Sequence, residues 1–308
     1  MIILEGPDAS GKSTLARRLE QQHGYTVVKW DQTHTYDQMI DWLADPQRGT
    51  DHVVCDRFPL FSEEIYGPIL RNRTKFTEKE QMNTLLLLQS LRPLMVLCTE
   101  VDEAAFSATP QLPTALENRV AALAYQGARK GWEQFFPVFP YSFLESDRFN
   151  LDSLVRRDVG PPDWWRAMFE GRYAGMGRLG SPAYFLLAES IGPLNRHHIP
   201  FEAGPSGIFM TEILANTQTP LSQVFITNYV KGQLSEAENQ IALRTELEQT
   251  KPSRVIVLGS PARRGIPLIK YLGFPYRTLV HPSYWLRSGK WKAEYYTLFN
   301  EAKTGAGE

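Results

Sequence analysis

One stretch constrains the fold of this chain more than any other: Gly6-Pro7-Asp8-Ala9-Ser10-Gly11-Lys12-Ser13-Thr14. It fits the pattern G-x-x-x-x-G-K-[ST], follows a short apolar run and precedes a segment with the periodicity of an amphipathic helix. In such a loop the glycines let successive backbone N–H groups point at phosphate oxygens, the lysine reaches the β- and γ-phosphates, and the hydroxyl ligates Mg²⁺. We therefore expect the whole stretch to bind ATP, with Lys12 on the phosphates and Ser13 on Mg²⁺. A glycine-rich turn that binds nothing is the alternative.

Length and composition bound the other possibilities. A chain of 308 residues exceeds the usual size of one hydrophobic core, so two domains are expected. The net charge of −1 gives no global basic field, so contact with nucleic acid needs a local patch. Both cysteines, Cys55 and Cys98, lie in apolar runs, which predicts reduced, buried thiols and no iron–sulfur cluster. With no apolar run of transmembrane length and a strand rather than a signal peptide at the N-terminus, we expect a cytoplasmic protein without a membrane partner.

Strands and helices alternate along the first half, which predicts an α/β fold with a parallel, doubly wound sheet. The predicted strands are residues 2–4, 25–30, 52–58, 94–99 and 141–145. The third strand ends in Asp56 and Arg57, and open α/β sheets bind ligands at the carboxyl ends of their strands, so this pair is expected to face the phosphates. A surface ion pair is the alternative.

A long helical stretch between the fourth and fifth strands, residues 114–135, carries Arg119, Arg129 and Lys130. These cations could form a lid that clamps phosphates, because phosphoryl transfer gains from neutralising the charge that develops on the transferred group. A solvated helix face is the alternative interpretation.

The phosphate loop followed by Asp56-Arg57-Phe58, Ser62 and Tyr66 resembles the thymidylate kinase and deoxynucleoside kinase group of P-loop kinases, over about the first 150 residues. The resemblance implies that Arg57 binds acceptor phosphate and that Asp56 helps with the metal or the attacking hydroxyl. It also implies that Asp8 lies near the acceptor sugar. The implied catalytic residues are Lys12, Asp56, Arg57 and Asp8, and the implied metal ligands are Ser13 and Asp56.

Glycine and proline concentrate in residues 158–162 and 170–182, so we place the domain boundary near Gly171, with domains of residues 1–170 and 171–308. Beyond it, predicted strands at 184–189, 224–231 and 254–259 and a short one before His281 alternate with helices. This alternation predicts a second α/β domain.

Four motifs in the second half, in this order, resemble the uracil-DNA glycosylase superfamily over about residues 183–290: Ala188-Glu189-Ser190-Ile191-Gly192, Pro200-Phe201-Glu202-Ala203-Gly204-Pro205-Ser206-Gly207, Thr227-Asn228-Tyr229-Val230-Lys231 and His281-Pro282. The resemblance implies that Phe201 stacks on an extruded pyrimidine and that Asn228 reads its Watson–Crick edge. Glu189 and His281 would occupy the catalytic-loop positions. The alternatives are a core phenylalanine, an asparagine that caps a strand and a histidine that anchors a turn.

Two departures from that superfamily bear on activity. Ile191 replaces a proline of the first motif, and the cysteines that hold an iron–sulfur cluster in the thermostable branch are missing. Base recognition is therefore expected to be retained, whereas both departures count against cleavage of the N-glycosidic bond. Basic residues of this half could contact phosphates or simply solubilise the surface: Arg263, Arg264, Lys270, Arg277, Arg287, Lys290 and Lys292.

A phosphoryl-transfer domain joined to a base-reading domain resembles the phage 5-hydroxymethyluracil DNA kinases. That resemblance implies a kinase that uses ATP and Mg²⁺ to phosphorylate a modified pyrimidine in DNA. Three alternatives stay open at this point: a kinase of free deoxynucleosides or thymidylate, a kinase joined to a working glycosylase, and an ATP-gated binder of modified DNA.

Overall fold

A computed structural model of the chain describes residues 1–45, 52–102, 104, 106, 114–190, 195–202 and 204–305. The chain forms two compact units, the first made of Met1–Thr77 and Leu91–Pro161 and the second of Glu78–Ser90 and Pro162–Glu308. Both units are α/β, which confirms the predicted fold class. The domain boundary at residue 171 stays a prediction, and the compact units separate between Pro161 and Pro162.

The strands are β1 (Ile2–Glu5), β2 (Thr26–Lys29), β3 (Val53–Asp56), β4 (Leu94–Cys98), β5 (Val138–Tyr141), β6 (Met176–Gly177), β7 (Tyr184–Ser190), β8 (Val224–Val230), β9 (Arg254–Leu258) and β10 (Tyr276–Leu279). The α-helices are α1 (Lys12–His23), α2 (Tyr36–Leu43), α3 (Pro59–Arg71), α4 (Glu78–Leu91), α5 (Ala115–Trp132), α6 (Leu151–Arg157), α7 (Asp163–Glu170), α8 (Pro205–Asn216), α9 (Glu236–Thr250), α10 (Ile266–Tyr271), α11 (Pro282–Arg287) and α12 (Lys292–Thr304). In the part of the chain that is described, no helix is long and apolar enough to cross a membrane.

The first unit is built on a parallel sheet with the strand order β2-β3-β1-β4-β5. Strand β1 is the central strand and all its residues are buried, as expected for a strand covered on both faces. One face of the sheet packs against α1 through a core that includes Ile2, Leu15, Leu19 and Val96. The central position of β1 therefore delivers the phosphate loop to the middle of the sheet's carboxyl edge.

The fifth strand differs from the prediction. It spans Val138–Tyr141 rather than residues 141–145, and Met95 pairs with Val138. Pro140 lies inside this strand, which is possible because β5 is at the edge of the sheet and proline needs no ladder hydrogen bond on the free side. The predicted bounds of this strand were therefore too late in the chain, and only Tyr141 is common to both ranges.

The second unit contains a sheet with the order β10-β9-β7-β8-β6, in which only the short edge strand β6 runs antiparallel among the described pairs. Strand β6 lies within the glycine-rich stretch that the sequence suggested as a linker. Its Gly177 exchanges hydrogen bonds with the Ser90 hydroxyl, donating its N–H at 2.8 Å and accepting at its carbonyl at 3.2 Å. This stretch is therefore a packed part of the second unit.

Helix α4 is encoded in the middle of the first half, yet residues 78–90 pack with the second unit. Besides Ser90, the amide of Gln89 donates to the carbonyl of Leu221 at 3.2 Å, and Thr211 lies 3.4 Å from the sulfur of Met82. The buried leucine run of this helix therefore contributes to the core of the second unit.

Candidate functional site

The phosphate loop joins β1 to α1 through backbone conformations that suit glycine. Gly6 has a φ of 149°, and a Cβ there would lie 1.9 Å from the carbonyl oxygen of Cys98, so no other residue fits. Lys12 is buried, and its ammonium donates to the carbonyl of Pro7 and to the Ser10 hydroxyl. Burial, followed by the charge of Arg57, lowers the pKa of Lys12 to about 8. The lysine is thus held inside the loop, where the motif requires it.

The structure brings the two predicted metal ligands together. The Ser13 hydroxyl donates to Oδ2 of Asp56 at 2.5 Å, so the start of α1 and the end of β3 meet. A hydroxyl and a carboxylate are the hard oxygen ligands that Mg²⁺ takes from proteins when phosphates and water supply the rest. The donor set therefore fits a nucleotide-bound Mg²⁺, and the described residues contain no group of three or more His, Cys, Asp or Glu that could hold a metal alone.

Arg57 adopts a left-handed backbone conformation with a φ of 72°, which is rare for a residue with a side chain. Its guanidinium forms an ion pair with Asp8, donates to the carbonyl of Gly6 at 3.3 Å and lies 5.3 Å from the ring centroid of Tyr66. These contacts bring together the Asp-Arg pair, the phosphate loop and the tyrosine of the kinase-like motif.

Two cavities open onto this arrangement, both within the first unit. One, of about 720 Å³, is lined by the phosphate loop, Ser13 and Asp56 and is large enough for nucleotide phosphates. The other, of about 270 Å³, is lined by residues that include Ser62, Glu63, Tyr66 and Lys75. Residues shared by the linings of both cavities are Asp8, Trp30, Asp31 and Arg57. We call the first the nucleotide cavity and the second the acceptor cavity.

Every cation among the described residues that line the acceptor cavity already has a protein partner. Arg57 pairs with Asp8, and Arg71 pairs at 2.5 Å with Glu63, which is buried. Lys75 donates to the carbonyls of Gln32 and His34 at 3.2 and 2.6 Å. The cations Arg57, Arg71 and Lys75 are balanced by the carboxylates Asp8, Asp31 and Glu63.

Sequence reasoning missed three residues that shape this site. Asp31, two residues beyond β2, lines both cavities. Asn118 of α5 is buried and holds Asp8 by its backbone, since Oδ1 accepts from the Asp8 N–H at 2.8 Å and Nδ2 donates to the Asp8 carbonyl at 3.0 Å. Glu5 is fully buried at the end of β1. A signal existed for Asn118, because it is polar and lies on the same helix stripe as the apolar residues Ala121 and Tyr125.

The predicted lid residues lie on the same helix. Arg129 forms an ion pair with Glu133 at 2.7 Å, and both side chains are well exposed. Arg119, Arg129 and Lys130 are absent from the linings of the two cavities described above. A lid formed by these three residues stays a prediction.

In the second unit the predicted base-binding residues lie at one edge of the sheet. Glu189 and Asn228 are at the ends of the parallel neighbours β7 and β8, where Ala188 pairs with Asn228. Gly259 follows β9 with a φ of 95°, and a Cβ there would lie 2.2 Å from Oε1 of Glu189, so the glycine makes room for that carboxylate. His281 follows β10, which continues the same parallel order.

Phe201 and His281 stack, with ring centroids 5.7 Å apart and an interplanar angle of 14°. Phe201 has a φ of 61° and is mostly buried, and the loop that carries it is closed by hydrogen bonds from His197 to Glu202. Burial and then Arg287 lower the pKa of His281 to about 4, so the imidazole is neutral at pH 7. Asn228 is buried. The resulting edge combines an aromatic face, a neutral imidazole and an amide.

Three residues of the glycosylase-like motifs, Ile191, Gly192 and Ala203, lie outside the described residues. Among the basic residues, Arg264 pairs with Glu236 at 3.1 Å and Lys292 with Glu212 at 2.5 Å. Lys290 lies 4.9 Å from the ring centroid of Trp285. These three cations therefore have protein partners, and a role of the basic residues on DNA phosphates stays a prediction.

Comparison with known proteins gives separate matches for the two halves of the chain. Residues 1–135 match the family model of the AAA domain, and residues 188–302 match that of the Uracil DNA glycosylase superfamily. Similar solved structures include the YorR protein of Bacillus subtilis in complex with phosphorylated GDP, with 18% identity, a TM-score of 0.38 and coverage of 50% of this chain and 91% of that one. Another is deoxyadenosine kinase from M. mycoides with bound dCTP, with 15% identity, a TM-score of 0.32 and coverage of 51% and 95%. No curated protein matches the sequence.

The first half of the chain therefore carries a phosphate loop in a region that matches the AAA domain model, and the second half carries a region that matches the Uracil DNA glycosylase superfamily model.

Proposed function

We propose that this protein is an ATP-dependent kinase that phosphorylates the hydroxymethyl group of 5-hydroxymethyluracil in DNA. The observation that carries the proposal is the acceptor cavity, which shares Asp8, Trp30, Asp31 and Arg57 with the nucleotide cavity but has no unpaired cation in its described lining. A nucleotide in one cavity and an acceptor in the other would meet at these shared residues.

The charge balance of the acceptor cavity favours an alcohol over a phosphate as the acceptor. A phosphate monoester carries close to two negative charges at pH 7 and needs free cations to replace its hydration. Here Arg57, Arg71 and Lys75 are engaged by protein acceptors, and Asp8, Asp31 and Glu63 would repel a dianion. A neutral hydroxymethyl group needs no free cation and is not repelled by these carboxylates. A nearby carboxylate can also accept the proton that the hydroxyl loses.

In the proposed reaction the hydroxymethyl oxygen attacks the γ-phosphorus in line, the new O–P bond forms, and the bond to the β-phosphate oxygen breaks. Lys12 and Arg57 stabilise the charge of the transferring group. Four aspartates line the nucleotide cavity, and two of them, Asp8 and Asp31, also line the acceptor cavity. Asp8 is paired with Arg57, whereas the side-chain contacts of Asp31 with Thr33 and His34 use its Oδ1. Asp31 is therefore our candidate for the proton acceptor. Mg²⁺ held by Ser13 and Asp56 would neutralise charge on the β- and γ-phosphates.

The second unit would read the modified base. Phe201 offers a stacking face, and Asn228 supplies an amide with a donor and an acceptor, which together suit a pyrimidine taken out of the helix. His281, neutral at pH 7, would donate or accept one hydrogen bond without adding charge.

The second candidate is a kinase of free deoxynucleosides, since a nucleoside hydroxyl is also a neutral alcohol and the same charge balance favours it. A bifunctional kinase and glycosylase is the third, favoured by the retained Glu189, Asn228 and His281 and disfavoured by Ile191.

The test uses γ-labelled ATP with Mg²⁺ and separate acceptors: an oligonucleotide with one 5-hydroxymethyluracil, the same oligonucleotide with thymine, free deoxynucleosides, and thymidylate. We expect label in the first oligonucleotide and none in the thymine control. Label confined to free nucleosides would replace the proposal with the second candidate, and label confined to thymidylate would contradict the charge argument. Alkali-labile strand breaks would reveal a glycosylase.

A further inference from the structure

We propose that Glu5 is a positioning residue for Arg57: its carboxylate holds the backbone turn after β3 that places the arginine between the two cavities. The proposal rests on the kinase function proposed above. It concerns a residue that contacts neither cavity and that no feature of the phosphate-loop pattern points to.

The turn needs an external anchor because Arg57 has a φ of 72°. An L-residue pays on the order of 1–2 kcal/mol for this conformation, so neighbouring contacts must fix it. Two contacts do so, one on each side of the strained residue. The Arg57 N–H donates to the carbonyl of Leu4 at 3.0 Å, and the Phe58 N–H donates to Oε1 of Glu5.

Glu5 is itself held on several sides. The Ser62 hydroxyl, in the first turns of α3, donates to Oε2 at 3.0 Å, and the Tyr125 hydroxyl of α5 donates to the same oxygen at 3.0 Å. The side chain is fully buried, and a carboxylate in such a place persists only with a complete set of donors. Glu5 therefore links the end of β1, the turn after β3 and two helices at one point.

The same turn determines where the guanidinium lies. From the left-handed position Arg57 reaches Asp8, the Gly6 carbonyl and the ring of Tyr66, and it thereby lines both cavities. If the Phe58 N–H loses its acceptor, the turn can relax toward an ordinary conformation, and the guanidinium moves away from the transferring group. A displacement of about 1 Å at a reacting centre costs up to about 100-fold in rate.

Burial raises the pKa of Glu5 to about 7. The reach of the side chain and its charge can be separated by two substitutions. Glu5→Gln keeps the reach and an acceptor oxygen for Phe58, and its amide nitrogen can donate to Ser62 and Tyr125, whose hydroxyls also accept. Glu5→Asp keeps the charge but is shorter by one methylene.

The experiment measures phosphoryl transfer and hydrogen exchange on the full chain. We expect Glu5→Asp to lower kcat about 10- to 100-fold with an unchanged KM for ATP, and Glu5→Gln to remain within about threefold of the wild type. The matched control is Glu64→Asp on α3, whose carboxylate accepts from the indole of Trp132 at 3.0 Å and lines neither cavity; it should leave kcat unchanged. In an Arg57→Ala background, Glu5→Asp should add less than about twofold, because the two residues act through one contact.

Hydrogen exchange in residues 57–62 gives a readout that does not depend on the acceptor, so it survives a failure of the proposed function. The Phe58 amide should lose protection in Glu5→Asp and keep it in Glu5→Gln. Loss of protection in Glu5→Gln but not in Glu5→Asp would assign the effect to charge, and equal losses in both would assign it to general disruption of the buried site. Either result would overturn the proposal. Unchanged protection and kcat in Glu5→Asp, or fully additive effects with Arg57→Ala, would overturn it as well.

Discussion

The two units place different chemistry at the carboxyl edges of similar sheets. In the first unit the edge carries charged pairs that face cavities, such as Arg57 with Asp8. In the second unit the edge combines the stacked rings of Phe201 and His281 with the amide of Asn228 and the carboxylate of Glu189, and the ion pair Lys231–Glu246, 2.8 Å apart, is wholly buried inside the unit. Phosphoryl transfer needs charges that a substrate can meet, whereas reading a base needs a desolvated face and directed hydrogen bonds. With the proposed function, the ion pair of the first unit would take part in phosphoryl transfer, whereas the ion pair of the second unit is part of its buried core.

The largest expected effect tests the buried ion pair Lys231–Glu246 of the second unit. Lys231→Met leaves Glu246 as an uncompensated buried charge, which typically costs about 3–5 kcal/mol of stability. Lys231 also donates a hydrogen bond to the carbonyl of Tyr173, and the substitution removes this bond as well. We expect a destabilised second unit in urea unfolding followed by tryptophan fluorescence. The double variant Lys231→Met with Glu246→Leu should recover a large part of the loss, and a single variant as stable as the wild type would contradict the comparison.

The next effect tests the catalytic charges. Lys12→Ala removes a buried cation that, with the proposed function, would stabilise developing charge, and we expect phosphoryl transfer to fall on the order of 100- to 1,000-fold. DNA binding, measured by fluorescence anisotropy, should be unchanged because the base-reading edge lies in the other unit. Arg17→Ala, on the exposed side of α1, is the control. Equal loss of transfer and DNA binding would show that the two sites are not chemically separate.

A smaller effect tests the aromatic edge. Loss of one base-stacking partner typically costs about 1–3 kcal/mol, so Phe201→Ala should raise KM for the modified oligonucleotide about 5- to 150-fold. Asn228→Ala should act in the same direction, and ATP hydrolysis without DNA should not change in either variant. Normal turnover on DNA in both variants would refute the role of the second unit as the reader.

The smallest effect follows from the neutral imidazole. Because the pKa of His281 is about 4 in the folded chain and 6.5 is its ordinary value, the unfolded chain binds a proton first as the pH falls. The stability that His281 contributes is therefore complete above about pH 6.5 and declines toward pH 4. His281→Asn keeps a residue that can cap α11 but does not titrate. Between pH 7.5 and 6 we expect the free energy of unfolding of the wild type to fall by less than about 1 kcal/mol relative to this variant, and to fall further below pH 6. A difference in unfolding free energy that does not change with pH would show that His281 is exposed to solvent.

Local patterns predicted much of the site. The phosphate loop, the Asp-Arg pair at the end of β3 and the motifs at the ends of β7, β8 and β10 are each contiguous in sequence, and parallel strands bring their carboxyl ends to one edge. The residues that complete the first site are not contiguous with these motifs. Asn118 and Glu5 act through partners 110 and 53 residues away, at Asp8 and Phe58, so only the folded chain reveals them.

The sequence by itself determined the two α/β units and the chemistry of their motifs, because strand, turn and helix preferences are local and the phosphate loop depends on glycines at fixed spacing. The tertiary structure alone decided that α4 packs in the second unit, that the cations of the acceptor cavity are all engaged, and that Glu5 holds the turn at Arg57. Those features depend on which buried groups find partners across long sequence separations, and pairing of that kind is selected by packing and desolvation rather than by local pattern.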